Sequence, residues 1–206
     1  PVAATATISG LVKYENVPHT VNSGLDYANS TFDPIRGADV ELLDSNSLAA
    51  TPIVIAATKT NSLGEYSFNN IEAGQSAIVR VKASYVKSPA AGEASWDMQV
   101  VDNTNSGAIY ALDSSIFTTA TEDLTKNLSA LSGWNLSDND YTAPRAAAPF
   151  HILDRAYDMV MKIVNADSDV VMPATKLNWS IKNAPANGDK ANGLIGTSHY
   201  VNGNLY

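Results

Sequence analysis

Cysteine is absent from this 206-residue chain, which removes disulfides, thiolate metal sites and a cysteine nucleophile together. The redox compartment stays open. Positive charge is scarce: 13 Lys and Arg stand against 21 Asp and Glu, a net charge of -8, which opposes capture of nucleic acid or of an anionic membrane surface. No apolar run approaches the roughly 18 residues that a membrane-spanning helix needs. No basic segment leads into an apolar one at Pro1, so any export signal has been removed or was never part of this chain, and a start without Met suits a processed or trimmed chain. Histidine is limited to His19, His151 and His199, none within five residues of another, so the usual zinc-ligand spacing is missing. No Gly-x-Ser-x-Gly elbow nominates a serine nucleophile, and no Gly-rich phosphate loop joins a strand to a helix.

What is present favours strands. Hydrophobic residues make up 45% of the chain and charged ones only 17%, so the chain folds as a globular protein of one or two domains, not as an acidic tail or a coiled coil. Ala6 to Tyr14 alternates around β-branched and aromatic positions, the mark of a half-buried strand. A polar loop from Glu15 to Arg36 follows, then a strand from Ala38 to Leu43. The β-branched run Thr51 to Thr60, the turn Asn61-Ser62-Leu63-Gly64 and Glu65 to Phe68 predict a hairpin, with Tyr66 and Phe68 on its core side. Further strands are expected at Ala77 to Val86, Ser95 to Val101 and Ala108 to Phe117. Seven short strands with no helix before residue 120 indicate an antiparallel β-sandwich. Gly10, Gly37 and Gly64 read as architectural, placed where the backbone turns or approaches closely.

After Thr118 the texture changes to Ser, Asn, Asp and Ala. Leu124, Leu128 and Leu131 share one face of a short helix expected over Glu122 to Leu131, which would dock a packed linker covering residues 119–148. Phe150, Leu153, Tyr157, Val160, Met161 and Val164 recur at helical steps, with Pro149 in the first turn. The opposite face carries His151, Asp154, Arg155, Asp158 and Lys162, and Asp158 to Lys162 is a favourable pair four apart. Lys176 to Ile181 reads as a strand, Asn183 to Asn192 as a loop, and Gly193 to Tyr206 as a strand region with a turn. One helix and two strands make a poor domain alone, so residues 149–206 read as the opening of a second, truncated domain.

Two stretches resemble known families. Ile8-Ser-Gly-Leu-Val12, Ile35-Arg-Gly-Ala-Asp-Val-Glu-Leu-Leu43, Thr58 to Ile71 and Ala73-Gly74 resemble, in that order, the carboxypeptidase regulatory-like domain. That resemblance implies a transthyretin- or immunoglobulin-like Greek-key sandwich over residues 1–118, and no active site to carry over. Ala148 to Asp154, Leu177-Asn-Trp-Ser180 and Gly193 to Tyr200 are similar to the stretch preceding the zinc motif in a group of exported bacterial candidate metalloproteases. No His-Glu-x-x-His occurs here. The resemblance therefore implies zinc chemistry in a downstream domain, and for this chain a non-catalytic accessory or spacer role that orients that domain or helps present substrate, at a secreted, periplasmic or cell-surface location.

No catalytic, cofactor-binding or metal-binding residue is assigned on this reading. His151 with Asp154 and Asp158 can be drawn as a metal site, but Arg155 intrudes on it. His199 beside Ser198 and Tyr200 is a cleft-lining candidate, and Asp138-Asn139-Asp140 offers oxygen ligands to calcium without the Gly of an EF-hand loop. Trp96, Trp134 and Trp179 are capable of stacking sugars but are scattered along the sequence. The alternative functions are adhesion or carbohydrate binding, which an exposed cluster of aromatic residues or saturable glycan binding would favour, and a purely structural stalk. The expected partners are the downstream domain of the same polypeptide and a protein or glycan surface.

Overall fold

The computed structural model describes residues 4–22, 24–48 and 51–206; Pro1, read as a processed start, lies outside them. The chain runs through β1 (Thr5–Asn16), β2 (Thr31–Pro34), β3 (Asp39–Asp44), β4 (Val54–Lys59), β5 (Glu65–Glu72), β6 (Ser76–Lys82), β7 (Ser84–Lys87), β8 (Trp96–Asp102) and β9 (Ala108–Ile109). Then come β10 (Ala111–Asp113), β11 (Phe117–Thr118), β12 (Leu124–Thr125), β13 (Leu128–Ala130), β14 (Trp134–Asn135) and β15 (Asp140–Tyr141). The helix α1 (Ala147–Ala166) precedes β16 (Thr175–Asn178), β17 (Tyr200–Val201) and β18 (Asn204–Leu205). The protein is mainly β, a sandwich with one α-helix added. Among the described residues no helix is long and apolar enough to cross a membrane.

Two compact units form, and each takes two separate stretches of chain: residues up to Val81 with Ala111–Ala148, and Lys82–Tyr110 with Pro149–Tyr206. The expected division between residues 148 and 149 coincides with one of their limits, but residues 82–110 go with the second unit and residues 119–148 with the first. The reason lies in strand pairing: β12 and β13, within residues 119–148, pair with the edge of β1, and β7 to β9 are claimed by the sheet that β16 enters.

The first unit is the sandwich. Its spine is β1, whose even-numbered residues Ala6, Ile8, Val12 and Tyr14 are all buried, the period-two pattern of a strand with one core face. On one edge β1 pairs antiparallel with β5 and then β2; it also pairs in parallel with β12 at Ile8 and Ser9 and with β13 from Val12 to Tyr14. The second sheet has the order β10-β6-β3-β4, with β11 also on β6, and supplies Val40, Leu42, Val79 and Val81 to the core. Gly10 fills the one even position of β1 that carries no side chain. Tyr66 stands directly opposite it in register, and an added Cβ would lie 2.8 Å from the Tyr66 ring and 2.7 Å from the Lys126 carbonyl carbon.

Two local expectations are corrected here. Residues 61–64 do turn, with Gly64 at φ +78 and the Asn61 side chain accepting from Leu63 and Glu65 N–H, but no hairpin forms. β4 pairs with β3 and β5 with β1, so the turn arches from one sheet to the other. Likewise Leu124, Leu128 and Leu131 lie on no helix: β12 and β13 occupy that segment, Leu128 is buried and Leu131 is exposed. An open edge of β1 offers that backbone more hydrogen bonds and burial than an isolated short helix, which is marginal on its own.

In the second unit β8 is central. It pairs antiparallel with β7 and β9 and in parallel with β16, after which β18 and β17 follow. Residues 149–206 are therefore not a helix and strands left alone, because residues 82–110 complete their sheet. Tyr85, Met98, Val100 and Leu177 are buried, and the Tyr85 ring meets Tyr157 of α1 at 5.1 Å. On α1 the buried positions Phe150, Leu153, Ala156 and Val160 follow the expected spacing. The polar face does not hold as expected. Asp154 is only 2% exposed, with its carboxylate 2.6 Å from Arg155, and Asp158 takes Arg155, not Lys162, as its ion-pair partner.

Candidate functional site

Three aromatic rings from two distant segments of the first unit converge. Tyr27 sits on a single 3-10 turn, Tyr27–Asn29, braced by the Asn29 side chain donating to Asp26 at 2.8 Å. Trp134 and Tyr141 face each other across the two-stranded ribbon β14–β15. Tyr27 stacks on Trp134 with ring centroids 4.0 Å apart and planes within 11°, while Tyr141 meets both edge-on, at 6.0 and 5.0 Å. The two edge-on contacts fall at separations where aromatic pairs attract. The Tyr27 and Tyr141 hydroxyls are hydrogen-bonded, and the Arg145 guanidinium lies 4.1 Å over the Tyr141 ring. All four side chains are half-buried.

The ribbon is held from below. Glu15, near the end of β1, accepts from Ser132 N–H at 2.8 Å, and Thr142 N–H closes on the Gly133 carbonyl at 3.0 Å. Gly133 has φ +78, and a Cβ there would lie 2.7 Å from the Pro144 carbonyl, so only glycine fits. At the tip, Asn135 accepts from Ser137 N–H and donates to Asp138, and Asn139 turns the chain at φ +51. Burial alone would raise the Glu15 carboxyl, but the bonds from Ser132 and Ser30 outweigh it and hold the group below its ordinary value. The Tyr27 hydroxyl is pushed up to about 12, by burial first and by Tyr141 second, with Arg145 pulling the other way.

That shift has a measurable consequence, shared by Tyr66, Tyr85 and Tyr110, all of them raised chiefly by burial. A hydroxyl whose folded pKa exceeds its unfolded one contributes stability fully below the unfolded value, and loses it as pH climbs through the folded one. Thermal melts followed by circular dichroism should therefore give a steady Tm from pH 7 to about 9 and a falling one above about 10. A Tm independent of pH up to 12 would contradict these environments.

The other sequence candidates are separate from this cluster and from one another. Asp138 and Asp140 spend oxygens inside their own turn, on Asn135 Nδ2 and Tyr141 N–H. Among the described residues no group of three His, Asp or Glu side chains is disposed to hold a metal. His19 is exposed in the loop before Tyr27, and His151 is half-buried on α1. His199 stacks on Tyr206 at 5.2 Å, with Nδ1 2.6 Å from the Thr197 carbonyl, while Ser198 and Tyr200 are exposed. Trp96 and Trp179 belong to the second unit, where Trp96 is buried and Trp179 packs against Tyr110 at 5.5 Å. Of the three tryptophans Trp134 alone joins the cluster. Tyr27, Tyr141 and Arg145 carry no sequence signal beyond being aromatic or basic residues in polar loops.

No family model matches the chain, so neither family resemblance seen in the sequence has that support, and no curated protein matches it. Eight chains of solved structure do. A 9R-lipoxygenase from Cyanothece matches over 63% of this chain and 17% of its own length, at 9% identity and a TM-score of 0.33. A candidate carbohydrate-binding protein from Pseudomonas aeruginosa matches over 63% of this chain and 90% of its own, at 9% identity and 0.32. The shaft pilin of Lactobacillus rhamnosus matches over 62% and 50%, at 13% identity and 0.28. Likeness this distant says nothing about function, which rests on the chemistry of the residues themselves.

Proposed function

We propose that this chain is a non-catalytic, adhesion-like accessory module of an exported bacterial protein, and that its sandwich unit recognises carbohydrate through Tyr27, Trp134 and Tyr141. The observation that carries this reading is the stacking of Tyr27, from a distant loop, on the Trp134–Tyr141 pair of the β14–β15 ribbon, which is held from Glu15 and Gly133. The C–H face of a pyranose stacks on aromatic rings, and planar polar side chains pair with its hydroxyls. The net charge of -8 favours an uncharged sugar over a polyanion. A glycan array followed by calorimetry on the hits tests this: saturable binding that needs Trp134 supports it, and an empty array moves the chain to the spacer class.

The accessory role in a zinc metalloprotease rests on the sequence resemblance. Zinc content and peptidase activity, measured on this chain and on the full product of its gene, test it. Both properties in the longer product alone support the role; neither in either protein sinks it.

A further inference from the structure

The sandwich unit also contains a polar cleft of about 350 Å³, lined by Leu112 to Ser115 and by Thr125 to Ser129. It lies where β10 of one sheet faces β12 and β13 of the other. Its volume is at the lower end for sites that hold small ligands. We propose that this cleft binds an oxyanion, a carboxylate or phosphate group on a small polar molecule.

Besides Leu112, Leu128 and Asp113, the lining carries side chains that can donate. Lys126 supplies an ammonium group that makes no ion pair among the described residues and lies 4.2 Å over the face of Phe117. The hydroxyls of Ser115, Thr125 and Ser129 make no hydrogen bond with the described residues, and all three residues are exposed. Asn127 accepts from Leu11 N–H at 2.8 Å through Oδ1, which fixes its amide and leaves Nδ2 as a donor. One carboxylate lines the cleft, Asp113, and Arg80 already holds it with two parallel bonds of 2.7 Å. That bidentate pairing neutralises the charge an entering anion would otherwise meet.

The backbone between Thr125 and Asn127 is held in place. Lys126 N–H donates to the Ser9 carbonyl at 2.7 Å, and the Lys126 carbonyl accepts from the Tyr66 hydroxyl at 2.6 Å. In a chain of net charge -8, this cleft sets an ammonium, an amide N–H₂ and three hydroxyls beside one carboxylate that Arg80 already holds. The site shares no residue with the aromatic platform, so the two readings succeed or fail separately.

Calorimetry and amide-shift titration of the intact chain with inorganic phosphate, glucuronate and glucose test the proposal. Phosphate or glucuronate, or both, should bind, with shifts at Ser115 and residues 125–129, and the one that binds identifies the source of the oxyanion. Glucose should not. Lys126→Gln should weaken binding at least tenfold, and Ser129→Asp, which places a second carboxylate in the cleft, should abolish it; each variant's melting curve shows whether it folds. Equal binding of glucose and glucuronate, no binding of either anion, or unchanged affinity in folded Lys126→Gln overturns the proposal.

Discussion

Gly10→Ala should destabilise the sandwich by about 3 kcal/mol, read as a loss on the order of 10 °C in Tm at this chain length. The added methyl meets the backbone of Lys126 on one side and the Tyr66 ring on the other. Neither is the far end of a flexible side chain. Tyr66 is 4% exposed and packed on Phe68 at 5.5 Å, while the Lys126 peptide is held by Ser9 and by the Tyr66 hydroxyl. The strain is therefore relieved only by parting β1 from β12 and β13, or by breaking the Tyr66 bond, which costs about 1 kcal/mol net by itself. Thermal unfolding of the variant beside the parent checks the expectation. A Tm within a degree of the parent would mean that β12 and β13 are not held against β1 as described.

Trp134→Ala should abolish glycan binding, a loss of 30-fold or more, while leaving the sandwich folded. Trp134 is the ring that both tyrosines touch, and truncation of a central aromatic typically costs about 2 kcal/mol or more in affinity. Tyr27→Phe is the contrasting variant. It keeps the stack and removes only the hydroxyl bond to Tyr141, so the loss should be at most several-fold. Equal losses in the two variants would point to a general collapse of the loops, and calorimetry on both distinguishes the outcomes.

What was legible in the sequence is what one segment settles alone. The alternation of Ile8, Val12 and Tyr14, the turn at Gly64, and the spacing of Phe150, Leu153 and Val160 all follow from local chemistry. What was not legible depends on the partner. Asn61 to Gly64 fixes a bend, but nothing in those four residues says whether the next strand returns to β4 or crosses to β1. Leu124, Leu128 and Leu131 fit a helical face, and the same segment lies as strands because β1 has an edge to offer. The aromatic platform is the extreme case: Tyr27 and Trp134 lie over a hundred residues apart, and the polar loop from Glu15 to Arg36 hid both β2 and Tyr27.

The interleaving of the two units sets a timetable for synthesis. Thr175 pairs with Met98, so the parallel neighbour of β8 leaves the ribosome roughly 4 to 15 seconds after β8 itself, at about 5–20 residues per second. For that interval the nascent chain carries Trp96, Met98 and Val100, all buried in the finished protein, beside an unpaired strand edge. Such a segment is what holdase chaperones bind and what aggregates when they are scarce. Yield in a cell should therefore depend more on chaperone supply and growth temperature than the stability of the completed fold would suggest.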